Sequence, residues 1–138
     1  MSTIFTKIIN KEIPADILYE NDSVIAFRDV NPQAPVHFLV IPKKEIPTLN
    51  DIEEDDKVII GELFLVAKKL AKKEGLEKKG YRTIFNCNED GGQTVFHIHL
   101  HVMGGRQMEW PPGSINFCAI LYHQVYLQFL HLMTLIHL

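Results

Sequence analysis

Cysteine is nearly absent: Cys87 and Cys118 are the only two in 138 residues. Their spacing fits neither a disulfide framework nor a paired-cysteine zinc site, so a reducing intracellular setting is the expectation. Positive charge is also short, with 14 Lys and Arg against 17 Asp and Glu for a net charge of −3. No broad cationic surface is left for a nucleic-acid backbone, although a small anionic ligand can be held locally. Long apolar runs are missing too. Lys7, Lys11 and Glu12 interrupt the start of the chain, which lacks the hydrophobic stretch of a secretory signal and reads as mature protein. The length suits a single core.

Charge itself stops at one point. None of the charged side chains lies in the last 25 residues, of which 17 are apolar. Pro111-Pro112-Gly113 stands at the boundary, where two prolines and a glycine end any helix or central strand. The expected division is a domain over residues 1–113 and an uncharged extension over 114–138. His123, Gln124, Gln128, His131, Thr134 and His137 break the extension, so its longest continuous apolar run falls short of the ~18 residues of a membrane span and no membrane partner is expected. Gln124, Gln128 and His131 share a helical stripe. The extension therefore reads either as an amphipathic helix packing on the domain or a partner, or as an addition without function.

Periodicity gives the elements of the charged part. Residues 3–9 predict a short helix with an apolar patch of Ile4, Phe5, Ile8 and Ile9. Residues 24–29 and 37–41 predict strands joined through Asn31-Pro32-Gln33-Ala34-Pro35, a hairpin. Asp51 with Glu54 three residues on is a helix-start signature. Apolar residues at Val58, Ile59, Leu63, Val66 and Leu70, with Gly75 as a cap, place one long helix over residues 52–74. Residues 81–86 and 95–103 predict two more strands around the polar loop of residues 87–92. Short connections favour antiparallel pairing, hence an α+β class.

Chemistry enters at His97-Ile98-His99-Leu100-His101. On a strand, His97, His99 and His101 project from one face while Ile98, Leu100 and Val102 anchor the other. A lone histidine is most often an ordinary satisfied polar residue; three in alternation, with only His37 elsewhere before Gly113, are harder to dismiss. An unperturbed imidazole, with a pKa near 6.5, is roughly three quarters neutral at pH 7 and has a lone pair to attack with. Two chemistries use such an array. Zinc can be held by two of these histidines and His37, leaving a water position. Phosphorus transfer instead uses one imidazole as nucleophile and its neighbours to hold phosphoryl oxygens. Gly91-Gly92-Gln93-Thr94 favours the second, since glycine permits close approach and Thr94 offers a hydroxyl, although two glycines are as often a plain turn.

With apolar residues between the histidines, the sequence resembles the histidine triad superfamily, and within it the histidine triad nucleotide-binding (Hint) branch of purine nucleoside phosphoramidases. The resemblance runs through Thr3-Ile4-Phe5, Lys11-Glu12-Ile13-Pro14, Pro32-Gln33-Ala34-Pro35, His37 to Lys44, Gly80-Tyr81-Arg82, Gly91 to Thr94, Gly104 to Met108 and Trp110 to Gly113. It implies an antiparallel sheet of about five strands with one long helix and a short N-terminal helix, the sheet extended across a homodimer. It implies hydrolysis of nucleoside 5′-phosphoramidates without cofactor or metal, in the cytoplasm and also in the nucleus. By position, His99 is the nucleophile, oriented by the carbonyl of His97. His101 and Thr94 contact the phosphate and His37 completes the relay. Asp29 matches the ribose-binding acid, a role a carboxylate suits by accepting from both hydroxyls. Phe5, Ile8, Phe27 and Val30 match the clamp around the purine, for which ordinary core is the plainer reading of the residues alone. Gly92, Gln93 and Asn86 match positions beside the phosphate, and Trp110 a tryptophan that reaches the neighbouring subunit's site.

Departures from the family pattern are informative. Thr3 and Thr6 stand where some relatives carry two zinc-binding cysteines, and cannot supply thiolates. Arg28, Glu45 and Glu109 stand where relatives often carry histidine, and the extension after Gly113 has no counterpart in short members. The expected protein is a hydrolase binding a purine nucleoside monophosphate or phosphoramidate. The alternatives are a zinc-dependent hydrolase and a non-catalytic nucleotide-binding module.

Overall fold

Apolar residues on both sides of the central strands build a sheet with two buried faces. The computed structural model describes residues 2–112, and the chain divides into two units, Met1–Met108 and Glu109–Leu138. The expected extension over residues 114–138 lies outside the described residues. The elements of the first unit are α1 (Ile4–Ile9), β1 (Ile17–Glu20), β2 (Val24–Arg28), β3 (Val36–Pro42), α2 (Lys57–Lys73), β4 (Tyr81–Ile84) and β5 (Leu100–Gly104). All neighbouring strands pair antiparallel, in the order β1-β2-β3-β5-β4, which is the α+β architecture expected.

Register sorts the side chains. Val24 and Ala26 of β2, Phe38 and Val40 of β3 and Leu100 and Val102 of β5 pack on Leu63, Val66, Ala67 and Leu70 of α2. On the other face, Ile25, Phe27, Leu39 and Ile41 pack on Phe5 and Ile8 of α1. The pairing of Leu39 with His101 and of His37 with Met103 puts both histidines on this second face. Thr3 holds α1 at its start in a reciprocal cap with Thr6, and the Thr6 hydroxyl donates to Glu45 at 2.6 Å. The two threonines are thus spent on a helix start and its tie to the chain after β3.

Three boundaries differ from expectation. The long helix begins at Lys57, not near residue 52, because Asp51 bonds back to Thr48 and Asp56 to the Glu53 amide, closing two 3-10 turns first. The expected strand over residues 81–86 stops at Ile84. The one over 95–103 is confined to Leu100–Gly104, so His97 and His99 precede the ladder. One strand, β1, has no counterpart in the expectation: its four residues sit at the sheet edge, exposed at both ends, and lack a clear two-residue alternation.

Candidate active site

Four histidines meet where the open end of the β3–β5 pair passes α1. His37 and His101 come from paired strands, while His97 and His99 arrive on the stretch that leads into β5. That stretch is shaped by Gln93. Its side-chain amide donates to the carbonyls of Pro47 at 2.7 Å and Val95 at 3.1 Å and accepts from the Asn88 amide at 2.9 Å. Gln93 is buried, and both of its side-chain N–H groups are used to tie the loop to itself and to the chain at Pro47. Gly92 has φ +75° and donates its N–H to the Glu89 carbonyl. A side chain at Gly91 would collide with the Cys87 main chain.

Main-chain groups assign the ring protons, since a carbonyl only accepts and an amide only donates. His97 donates from Nε2 to the Pro42 carbonyl at 2.7 Å, and its buried Nδ1 has no partner among the described residues. His99 donates from Nδ1 to the His97 carbonyl at 2.8 Å, which leaves the lone pair on Nε2. The Gln33 amide donates to His37 Nδ1 at 3.0 Å, so neutral His37 carries its proton on Nε2. That proton faces His101 Nδ1 at 2.9 Å, and neutral His101 therefore holds its own proton on Nε2. The ring centroids of His99 and His101 lie 4.9 Å apart. One ring offers an electron pair and its neighbour a proton donor.

Burial keeps these rings neutral. It lowers the pKa values of His97 and His99, opposed by the carbonyl each ring donates to. It also lowers that of His37 against the pull of Asp29. His101 is pushed down to about 4, by burial first and then by the neighbouring His99 and His37. Neutral imidazole is the form a nucleophile needs.

Asp29 stands beside His37 and His101. Its Oδ1 accepts from the Asn31 amide at 2.8 Å, and its Oδ2 lies 3.4 Å from His37 Nε2 and 4.0 Å from His101 Nδ1. One donor atom from each of Asp29, His37 and His101 falls within 4.8 Å of the others, a set that could gather a cation. This differs from the set weighed in the sequence, where two of the alternating histidines joined His37. A cation there would need the lone pair of His37 Nε2, which would force the proton onto Nδ1 against the Gln33 N–H. The hydrogen bonding therefore opposes it.

Phe5, Ile8 and Phe27 are buried together, and the edge-on ring of Phe5 lies 4.9 Å from that of His99 and 5.7 Å from that of Phe27. They form a core wall that is also the wall beside His99. Val30 is not part of it, being 98% exposed on the turn after β2. Asn86 is half-buried just past β4, and Thr94 is exposed where it lines a groove of about 470 Å³ with Glu45, Pro47, Val95 and Phe96. Trp110 belongs to the second unit, outside the one that carries the histidines. Side-chain reasoning gave no role to the Pro42 carbonyl or the Gln33 amide, because main-chain partners leave no residue signature.

An antiparallel sheet carrying a histidine set of this kind defines a class, and the comparisons with known proteins agree on it. Residues 10–108 match the HIT domain. The chain is 52% identical to the purine nucleoside phosphoramidase of Escherichia coli over 106 residues, 77% of this chain and 89% of that protein. It is 55% identical to an uncharacterized HIT-like protein of Synechococcus elongatus over 80% of this chain and 96% of that one. The crystal structure of a HIT family hydrolase from Legionella pneumophila superposes with a TM-score of 0.79 at 55% identity, covering 80% of this chain and 98% of that one. The chain belongs to the HIT domain family, and it is a hydrolase of that family. Among the described residues no helix is long and apolar enough to cross a membrane.

Proposed function

We propose that the protein hydrolyses the P–N bond of purine nucleoside 5′-phosphoramidates, AMP or GMP joined to an amine. The observation that carries this reading is the bond from His99 Nδ1 to the His97 carbonyl at 2.8 Å, which presents a neutral Nε2 beside His101. The 52% identity to a purine nucleoside phosphoramidase supports the substrate class. In the first step His99 Nε2 forms a bond to phosphorus while the P–N bond breaks, and the amine leaves with the bonding electrons and takes a proton from solvent. In the second, water forms a P–O bond and gives a proton back to solvent as the P–His99 bond breaks with its electrons returning to Nε2, releasing the nucleoside monophosphate and the neutral ring. His101 donates from Nε2 to a phosphoryl oxygen, backed by the His37 Nε2–H on its other nitrogen. Thr94 serves the leaving-group side with its hydroxyl. Gly92, Gln93 and Asn86 shape the phosphate loop, Asp29 takes the ribose, and Phe5, Ile8, Phe27 and Val30 take the base. The working form is a homodimer in which Trp110 serves the partner's site, and no metal takes part.

The test is mass spectrometry of the protein mixed with an adenosine phosphoramidate and a chelator, read for adenylate on His99. His99→Ala should carry no adenylate and lose all turnover. Full activity in that variant ends the proposal; activity that vanishes with chelator in the native protein transfers the reading to a metal-dependent hydrolase.

A further inference from the structure

Arg106 lies outside the histidine cluster, on the exposed chain just beyond β5. Its guanidinium nevertheless reaches back across the sheet end. Nε and Nη2 both donate to the Gln33 carbonyl, at 3.2 and 3.0 Å, and Nη1 donates to the Gln107 carbonyl at 3.1 Å. Gln33 is the residue whose amide caps His37 Nδ1. We propose that Arg106 is a positioning residue, holding the 31–35 turn so that the Gln33 N–H fixes the His37 tautomer on which His101's donor depends.

The turn has few other means of holding this geometry. Pro32 and Pro35 have no N–H, and the Asn31 amide is committed to Asp29. The remaining tie inside the turn runs from the exposed Gln33 side chain to the Asn31 carbonyl. From outside, the chain at Gly105 adopts φ +88° and passes so close to Pro35 that an added Cβ would lie 2.9 Å from its ring. A glycine is required at that approach, and it delivers Arg106 to the Gln33 carbonyl.

The consequence is electronic. If the Gln33 amide swings away, the donor that bars a proton from His37 Nδ1 is lost; the Asp29 carboxylate, 3.4 Å from Nε2, then opposes the other tautomer alone, and a fraction of His37 holds its proton on Nδ1 and turns a lone pair toward His101. His101 must then protonate Nδ1 to meet it, and its Nε2 would face a phosphoryl oxygen with a lone pair instead of a proton. The groups around this pair that carry or can gain charge are Asp29 and His99. Neither replaces the Gln33 donor, since Asp29 only accepts and His99 is bonded to the His97 carbonyl.

This assignment rests on the proposed phosphorus transfer for its kinetic part, but the tautomer can be read without substrate. In ¹H–¹⁵N spectra of the ring nitrogens, the native full-length protein should show His37 protonated on Nε2 with a lone pair on Nδ1. Arg106→Ala should average the two tautomers and lower kcat roughly threefold to tenfold, as the competent fraction falls, with KM changed by less than about twofold. The acid limb of its pH profile should move to higher pH, because Nδ1 becomes free to take a proton. Arg106→Lys, which can offer the carbonyl one donor, should lie between. Should Arg106→Ala not fold, the same readings on Arg106→Lys and Arg106→Gln decide. Unchanged His37 nitrogens in a folded variant overturn the assignment, as does a loss of kcat without a change in tautomer or pH profile. A native protein that turns over no phosphoramidate overturns the proposed function, while the ring nitrogens still decide the role of Arg106.

Discussion

Acid should unfold this protein through His101 sooner than its surface charges would suggest. The His101 pKa falls from an ordinary 6.5 to about 4 in the fold, because its ring is largely withdrawn from solvent and faces His99 and His37. The sign follows from proton binding: between those two values the unfolded chain binds a proton that the folded chain refuses. Stability is fully present above pH 6.5 and is lost as pH falls toward 4. A shift of this size corresponds to about 3 kcal/mol once both states are protonated, and to about 2 kcal/mol already at pH 5. The assay is urea unfolding at pH 7 and pH 5 for the native protein and for His101→Gln, which keeps a polar side chain but cannot titrate. The native midpoint should fall by about 1 M more than that of the variant, with m near 2 kcal/mol/M. Equal pH dependence in the two proteins would refute the argument, since other titrating groups are common to both.

Phe5→Ala removes a buried ring from the α1 face and should cost about 3–5 kcal/mol in chemical unfolding; a cost below about 1 kcal/mol would mean the ring is not packed as described. Gly91→Ala places a methyl group against the Cys87 main chain. The loop must shift, so phosphoramidate turnover should fall at least tenfold while the free energy of unfolding, set by the sheet and α2, changes by less than about 1 kcal/mol. Truncation after Gly113 should leave turnover within a few fold, measured on purified protein; complete loss would place the extension in the working site.

The hairpin of β2 and β3 was legible as two short apolar runs around a proline-marked turn, buried on both faces, and the body of α2 because its apolar residues recur at three to four. The start of α2 was not, because the same acidic residues that signal a helix start also close 3-10 turns, and only tertiary ties such as Lys44 to Asp56 at 2.6 Å show which use prevails. Edge strand β1 was too short and too exposed to carry a period. For the site, alternation put the rings of His99 and His101 side by side, although His97 and His99 are not in the ladder. What the side-chain types could not state is which nitrogen of each ring bears the proton. Three main-chain groups set that: the carbonyls of Pro42 and His97 and the amide of Gln33. A carbonyl is available at every residue and an amide at every residue but proline, so the sequence identifies the rings while the chain path decides their chemistry. It follows that a substitution far from the rings in sequence, such as one at Arg106, can alter the site without touching a histidine.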